Sequence, residues 1–258
     1  MPQAFFELVA PFGGATVELE GLRRVFGGAA VLDGLDLHVA AGERVGIVGR
    51  SGVGKSTLLS LVAGLDEPDA GTVAVGGERT AKARLAHCAL MSQRDCLLPW
   101  RNALDNAAIA LENAGLSRRE ARRRAAPLFA RFGLAGSEEL RTVELSGGMR
   151  QRVAFVRTLL AEKPVLLLDE PFGALDAITR AELQQWLAAA LDSEPRTVLL
   201  VTHDVEEALL LCERVLVLAP GGVSAELEVE HPGSRSRREL VMSPSFLELR
   251  ERALEAIG

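Results

Sequence analysis

The chain carries 258 residues, of which 48% are hydrophobic and 25% charged, the balance of an ordinary globular protein with enough apolar side chains for a sizeable core. Its net charge of -6 argues against a surface built throughout for nucleic acid, because neutralising phosphates needs a basic field. No run approaches the roughly 20 consecutive apolar residues that span a bilayer, and Met1 to Ala10 lacks the basic region and apolar stretch of a secretory signal.

In chain order, Thr16 to Leu19, Val31 to Val39 and Thr72 to Val75 read as half-polar antiparallel strands, expected to form a small β layer of their own. Arg44 to Val48, His87 to Ser92, Val165 to Asp169, Thr197 to Thr202 and Arg214 to Leu218 are short apolar runs alternating with helix-period segments. That is the pattern of a mainly parallel sheet flanked by helices, so the fold class is α/β. From residue 95 to 162 the texture changes to Ala, Leu, Arg and Glu at helical spacing. A helix is expected over Ser117 to Phe132, with Ser117 and Glu120 as a capping box. Arg118, Arg119, Arg122, Arg123 and Arg124 read as a solvated face of that helix. Ala219 to Val223 is a turn and His231 to Arg238 a polar loop. Ser243-Pro244 then opens a last helix whose Phe246, Leu249, Leu254 and Ile257 fall near one face. Cys88, Cys96 and Cys212 lack the paired spacing of a zinc or redox motif and read as reduced thiols of a cytoplasmic protein, with no chemical role. The expectation is a single domain over 1–258, with a core of 16–94 and 163–222, a helical insert at 95–162 and a short C-terminal extension at 223–258.

The strongest local signal is Gly49-Arg50-Ser51-Gly52-Val53-Gly54-Lys55-Ser56, between an expected strand and an expected helix that continues through Thr57. The spacing G-x-x-x-x-G-K-S is that of a phosphate-binding loop. Its glycines let backbone N–H groups surround phosphate oxygens, Lys55 reaches the β- and γ-phosphates, and the Ser56 hydroxyl is suited to Mg²⁺. Val165 to Glu170 is an apolar strand ending in two carboxylates, which suits Asp169 to the nucleotide's metal and Glu170 to polarising an attacking water. Buried strands ending in solvated acids are common, and the reading gains its weight from the phosphate loop.

A phosphate loop serves kinases, GTPases, helicases and transport ATPases alike. Leu145-Ser146-Gly147-Gly148-Met149-Arg150-Gln151 separates them, because it resembles the signature motif of the ATP-binding cassette (ABC) ATPases. In physical terms Ser146, Gly147 and Gly148 open a helix and offer an anion a hydroxyl, bare N–H groups and a dipole. The resemblance, which spans about Thr16 to Leu218, implies that this loop meets ATP held by an opposing subunit, and so implies a homodimer. It further implies that Gln93 reaches Mg²⁺ or water, that His203 contacts the γ-phosphate, and that Asp176 supports the opposite site. Phe26 stands where the family stacks an aromatic ring on adenine, usually a tyrosine. Leu97-Leu98-Pro99-Trp100 and Pro171 to Arg180 resemble the nitrate, sulfonate and taurine importer subfamily, with importers of hydroxymethylpyrimidine or related heteroaromatics as the alternative. A soluble ABC ATPase ranks lower, since the chain has neither a tandem cassette nor a long coiled-coil insert, and only the Leu97 to Trp100 resemblance favours an importer over an exporter cassette. The same resemblance implies ATP hydrolysis with Mg²⁺, integral-membrane permease partners docking near Leu98 to Trp100, an extracytoplasmic solute-binding protein, and peripheral attachment at the cytoplasmic face of the membrane.

Overall fold

In the computed structural model, which describes residues 13–173, 177–191, 196–230 and 237–258, the chain builds two sheets. Strands β1 (Val17–Phe26), β2 (Ala29–Val39) and β4 (Ala70–Val75) pair antiparallel in the order β2-β1-β4. β2 alternates buried and exposed residues along much of its length, as expected of a strand with one face in solvent. The six-stranded sheet combines β3 (Arg44–Gly49), β5 (Cys88–Met91), β6 (Val165–Asp169), β7 (Thr197–Thr202), β8 (Arg214–Ala219) and β9 (Gly222–Glu228) in the order β5-β6-β7-β3-β8-β9. Every pairing is parallel except the β8–β9 hairpin.

β6 and β7 are buried at every position, because both faces of this sheet are covered. Successive side chains of a strand point to opposite faces, so Leu166, Leu168, Val198 and Leu200 enter one core while Val165, Leu167, Leu199 and Val201 enter the other. The second core is closed by the β layer and by α1 (Lys55–Ala63). The first is closed by α3 (Ala103–Asn113), α4 (Arg118–Arg131) and α5 (Gly147–Leu159), with α6 (Ala177–Leu191), α7 (Val205–Leu211) and α9 (Pro244–Ile257). Two further helices, α2 (Ala81–His87) and α8 (Arg237–Val241), and a 3-10 turn at Thr142–Glu144 complete the described elements. Among the described residues no helix is long and apolar enough to cross a membrane.

Several details depart from the expectations drawn from sequence. The arginines of α4 do not form a plain solvated face. Arg118 and Arg122 both pair with Asp105, whose side chain is only 2% exposed, Arg122 also meets Glu139, and Arg124 meets Glu162. Burial pulls the Asp105 carboxyl up, but hydrogen bonds from the two guanidinium groups outweigh that and hold it below the usual carboxylate range. Ser117 does cap α4 by accepting the Glu120 N–H, while the Glu120 carboxylate is engaged by Arg123. At the C-terminus two helices replace the single one expected. In α9 Phe246 and Ala253 are buried, whereas Leu254 is 48% exposed. At about 100° per residue, Leu254 stands about 80° around the helix from Phe246. Cys88 and Cys212 are buried and Cys96 exposed. Burial pushes the Cys88 thiol up to about 12 and the Cys212 thiol higher still.

An aromatic trio joins α5 and the residue after α4 to α6. Trp186 meets Phe132 edge-on at 4.3 Å between ring centroids and Phe155 at 5.1 Å. Phe132, just past the end of α4, is 2% exposed, so Phe132→Ala leaves a cavity and should lower stability by about 3–5 kcal/mol. Urea unfolding of the full chain measures the loss.

Candidate functional site

Parallel pairing of β3, β5, β6 and β7 aligns their carboxyl ends along one edge of the sheet, the side on which open α/β sheets carry ligands. β3 runs into Gly49–Ser56, β6 ends at Asp169 and Glu170, β7 at Thr202 and His203, and β5 leads through Ser92 to Gln93. Residues up to 154 positions apart in sequence thus reach one site through ladder register alone.

The turn from β3 to α1 depends on glycine at two points. Gly54 sits at φ 113°, and a Cβ there would come within 2.8 Å of Val31 Cγ1; a Cβ on Gly49 would meet the Leu218 carbonyl oxygen at 2.3 Å. Arg50, Ser51 and Gly52 are exposed and Val53 is buried. The buried Lys55 Nζ donates to the carbonyl oxygens of Gly49 (2.7 Å) and Arg50 (3.0 Å), so the ammonium closes the loop on itself. Burial lowers the Lys55 pKa, opposed by the charges of Glu170 and Asp169. Ser56 Oγ donates to Asp169 Oδ1 at 3.1 Å, and Thr57 lies half-buried in the first turn of α1. Burial raises the Asp169 pKa and the neighbouring Glu170 adds to this, while the Ser56 bond and Lys55 pull it back. A hydroxyl and a carboxylate in contact, at the amino end of a helix, are hard oxygen donors of the kind Mg²⁺ takes.

Glu170 adopts a left-handed backbone, φ 44°, a conformation that costs a non-glycine residue and gathers at functional positions. Its N–H donates to Val201 O (2.8 Å) and its carbonyl accepts the Gly173 N–H (3.2 Å). Its Oε2 lies 2.7 Å from Nδ1 of His203, which is half exposed. An acid and an imidazole in contact at the mouth of a phosphate loop can hold and orient a water or a proton. Close by lies a group that motif spacing does not single out. Glu207, on α7, is 3% exposed and its Oε1 has no hydrogen-bond partner. Burial, with the Asp204 carboxylate next, pushes Glu207 up to about 8; Thr202 and Arg180 oppose this and Glu170 adds to it. In Thr202-His203-Asp204-Val205-Glu206-Glu207 the available signal is two adjacent acids opening a helix, of which helical geometry buries only the second.

Gln93 is exposed in the loop after β5. Two arginines of α5 bind that loop: Arg150 Nε donates to Asp95 Oδ2 (3.1 Å), and Arg157 donates to the carbonyl oxygens of Asp95 (2.7 Å) and Cys96 (2.9 Å). Ser146 caps α5 by accepting the Met149 N–H (3.2 Å), with Gly147 and Gly148 in the first turn. α5 packs on α3, α4 and β5, whereas α1 packs on β3 to β7 and α2. Phe26 ends β1 and is 48% exposed. Asp176 lies outside the described residues.

A family model described as ABC transporter matches residues 32–173. The chain is 47% identical over 241 residues to "Aliphatic sulfonates import ATP-binding protein SsuB 1" of Rhodococcus jostii (strain RHA1), covering 93% of this chain and 94% of that protein. It is 44% identical to "Aliphatic sulfonates import ATP-binding protein SsuB 2" of Streptomyces avermitilis, over 94% of this chain and 90% of that one. Among solved structures it is similar to the ATP-binding cassette MJ0796, a dimer in a post-hydrolysis state bound to ADP and Pi. The TM-score is 0.75 at 30% identity, covering 83% of this chain and 99% of that one. It also shares its fold with cbiO1 from Clostridium perfringens, at TM-score 0.74 and 24% identity over 90% and 92% of the two chains.

The buried Glu207 sets a pH dependence. Its folded pKa lies above the ordinary 4.5, so the native state holds a proton that the unfolded state has released. The stability from this group is complete below pH 4.5 and is lost as pH rises through about 8. Glu207→Gln should remove that loss. Urea unfolding across this window should show wild type falling steadily relative to the variant as pH rises.

Proposed function

The chain belongs to the ABC transporter family, and on that premise we propose that it is the ATP-hydrolysing subunit of a bacterial importer of aliphatic sulfonates. It is an ATP-binding cassette and an ATP hydrolase. The observation that carries the reading is the edge where Lys55, Ser56, Asp169, Glu170 and His203 come together at the ends of parallel strands, with Ser56 bonded to Asp169 and Glu170 to His203.

ATP lies with its phosphates on the N–H groups of Gly49 to Thr57 and at the positive end of α1. Lys55 meets the β- and γ-phosphates, and Phe26 stacks on adenine. Ser56 and Asp169, with Gln93, are the donors that would hold Mg²⁺, which when bound screens the charge of the β- and γ-phosphates. Glu170 orients water for in-line attack on the γ-phosphate, and His203, 2.7 Å from its carboxylate, fixes that carboxylate and contacts the γ-phosphate. Lys55 offsets the charge that develops on the equatorial oxygens. Ser146, Gly147 and Gly148 act on ATP bound by a second copy, and Asp176 supports the opposite site, so two cassettes close head to tail over two nucleotides. The dimeric state of the similar cassette MJ0796 supports that arrangement. The parts divide as a core of 16–94 and 163–222, an insert of 95–162 and an extension of 223–258.

Trp100, 73% exposed, with half-buried Leu97 and Leu98 beside it, forms the surface for integral-membrane permease subunits. The chain binds there peripherally, at the cytoplasmic face, and an extracytoplasmic binding protein delivers the solute. The sulfonate assignment rests on the names of relatives at 44–47% identity over nearly the whole chain.

Glu170→Gln should bind ATP, accumulate as a dimer on light scattering, and lose about 100-fold or more of its turnover; ATP-independent monomers would count against the dimer mechanism. Lys55→Ala should lose nucleotide affinity. In the source organism, Lys55→Ala should abolish growth with an alkanesulfonate as sole sulfur source and spare growth on sulfate. Normal growth on sulfonate, without a second importer, removes sulfonate as the solute.

A further inference from the structure

Arg24 has no part in the site as built from Lys55, Ser56, Asp169, Glu170 and His203, yet its Nη1 and Nη2 make four hydrogen bonds while its buried Nε has no partner. Its guanidinium carbon stands 4.8 Å from the centroid of the Phe26 ring, two residues on. The same guanidinium grips Asp66 with both oxygens of that carboxylate, through Nη2 at 2.8 and 3.0 Å, and donates through Nη1 to Glu67 O at 3.0 Å and to Asp69 Oδ1 at 3.4 Å. Asp69 reinforces the grip on β1, accepting the Val25 N–H at 2.7 Å while its own N–H donates to Arg23 O at 2.9 Å. The Arg24 side chain is 19% exposed, whereas Phe26 is 48% exposed.

Position gives this cluster its meaning. Phe26 ends β1 opposite Ala29 of β2, and Arg24 pairs with Leu32. Val31 and Leu32 are the side chains that a Cβ on Gly54 of the phosphate loop would strike. The Phe26 ring therefore projects from the tip of a hairpin whose second strand abuts the phosphate loop. Asp66 and Asp69 lie in the segment after α1, the helix the phosphate loop opens. Arg24 thus ties the ring to the far end of that same helix. An aromatic ring covered on one face by a fixed, poorly hydrated guanidinium is held in one orientation. The cation also draws electron density from the ring, which favours stacking of an electron-rich base on the other face.

We propose that Arg24, anchored by Asp66 and Asp69, is a positioning residue for nucleotide binding: it braces Phe26 as the platform on which the base stacks and sets the distance from platform to phosphate loop. This rests on the assignment of Phe26 to adenine, and the test separates the two. Steady-state ATPase of the full chain is measured for Arg24→Ala, Arg24→Met, Phe26→Ala and the double variant Arg24→Ala/Phe26→Ala, with inorganic triphosphate as a competitor that engages only the phosphate loop. Arg24→Met keeps an apolar cover on the ring and guards against misfolding of the alanine variant.

Arg24→Ala and Phe26→Ala should each raise the KM for ATP about three- to tenfold, with kcat within about twofold because no reacting atom is touched. Inhibition by triphosphate should not change, and the double variant should be no worse than Phe26→Ala alone. A raised KM in Phe26→Ala with none in either Arg24 variant would leave the platform standing and overturn the brace. Full additivity in the double variant, or a parallel shift in triphosphate inhibition, would reduce Arg24 to a general structural bolt. An unchanged KM in Phe26→Ala would remove the platform and the brace with it.

Discussion

Parallel pairing of β6, β7 and β3 is the constraint on which the site depends. A parallel ladder fixes direction as well as register, so every strand in it delivers its last residue to the same edge. Asp169 stands opposite Val201 and Val48 opposite Thr202, which sets the phosphate loop, the paired acids and His203 side by side before any side chain makes a polar contact. The polar bonds then adjust what the ladder has placed: Lys55 to the loop carbonyls, Ser56 to Asp169, Glu170 to His203. A shift of one residue would move every side chain of β6 and β7 into the opposite core.

How much is legible in the sequence depends on the range of the interactions involved. The phosphate loop, the strand with its two acids and the helix opened by Ser146 are each written in a run of contiguous residues, and β6 and β7 begin and end where their apolar runs do. The arginines of α4 look solvated in sequence because their partner Asp105 lies on another helix, 13 and 17 residues away. Arg24 is inconspicuous for the same reason, its carboxylate partners being 42 and 45 residues distant. Leu254 lies close to the apolar pattern of its helix, yet its angular offset sends it to solvent. The β layer is readable because its alternation is local, while the extent of β1, to Phe26 rather than Leu19, depends on cross-strand partners that no single segment records.

Helices α4 and α5 make two kinds of contact with their surroundings, one apolar and one directional. The Phe132–Phe155–Trp186 trio is apolar and edge-on, and such packing resists separation more than it resists small rotations. The clamp is directional, Arg150 bonding the Asp95 carboxylate and Arg157 the Asp95 and Cys96 carbonyls, so it ties the loop after Gln93 to the helix capped by Ser146. The segment from Gln93 to the exposed Trp100 is thus bonded directly to α5.

The distribution of thiols has a practical side. Cys88 and Cys212 are buried, their ionisation suppressed by that burial, while Cys96 is exposed within the clamped loop, three residues after Gln93. A thiolate-directed reagent discriminates by exposure and ionisation, so the native chain offers a fluorophore or spin label one preferred point of attachment. That point sits three residues after Gln93 and four before the exposed Trp100, and the label can be introduced without changing a residue.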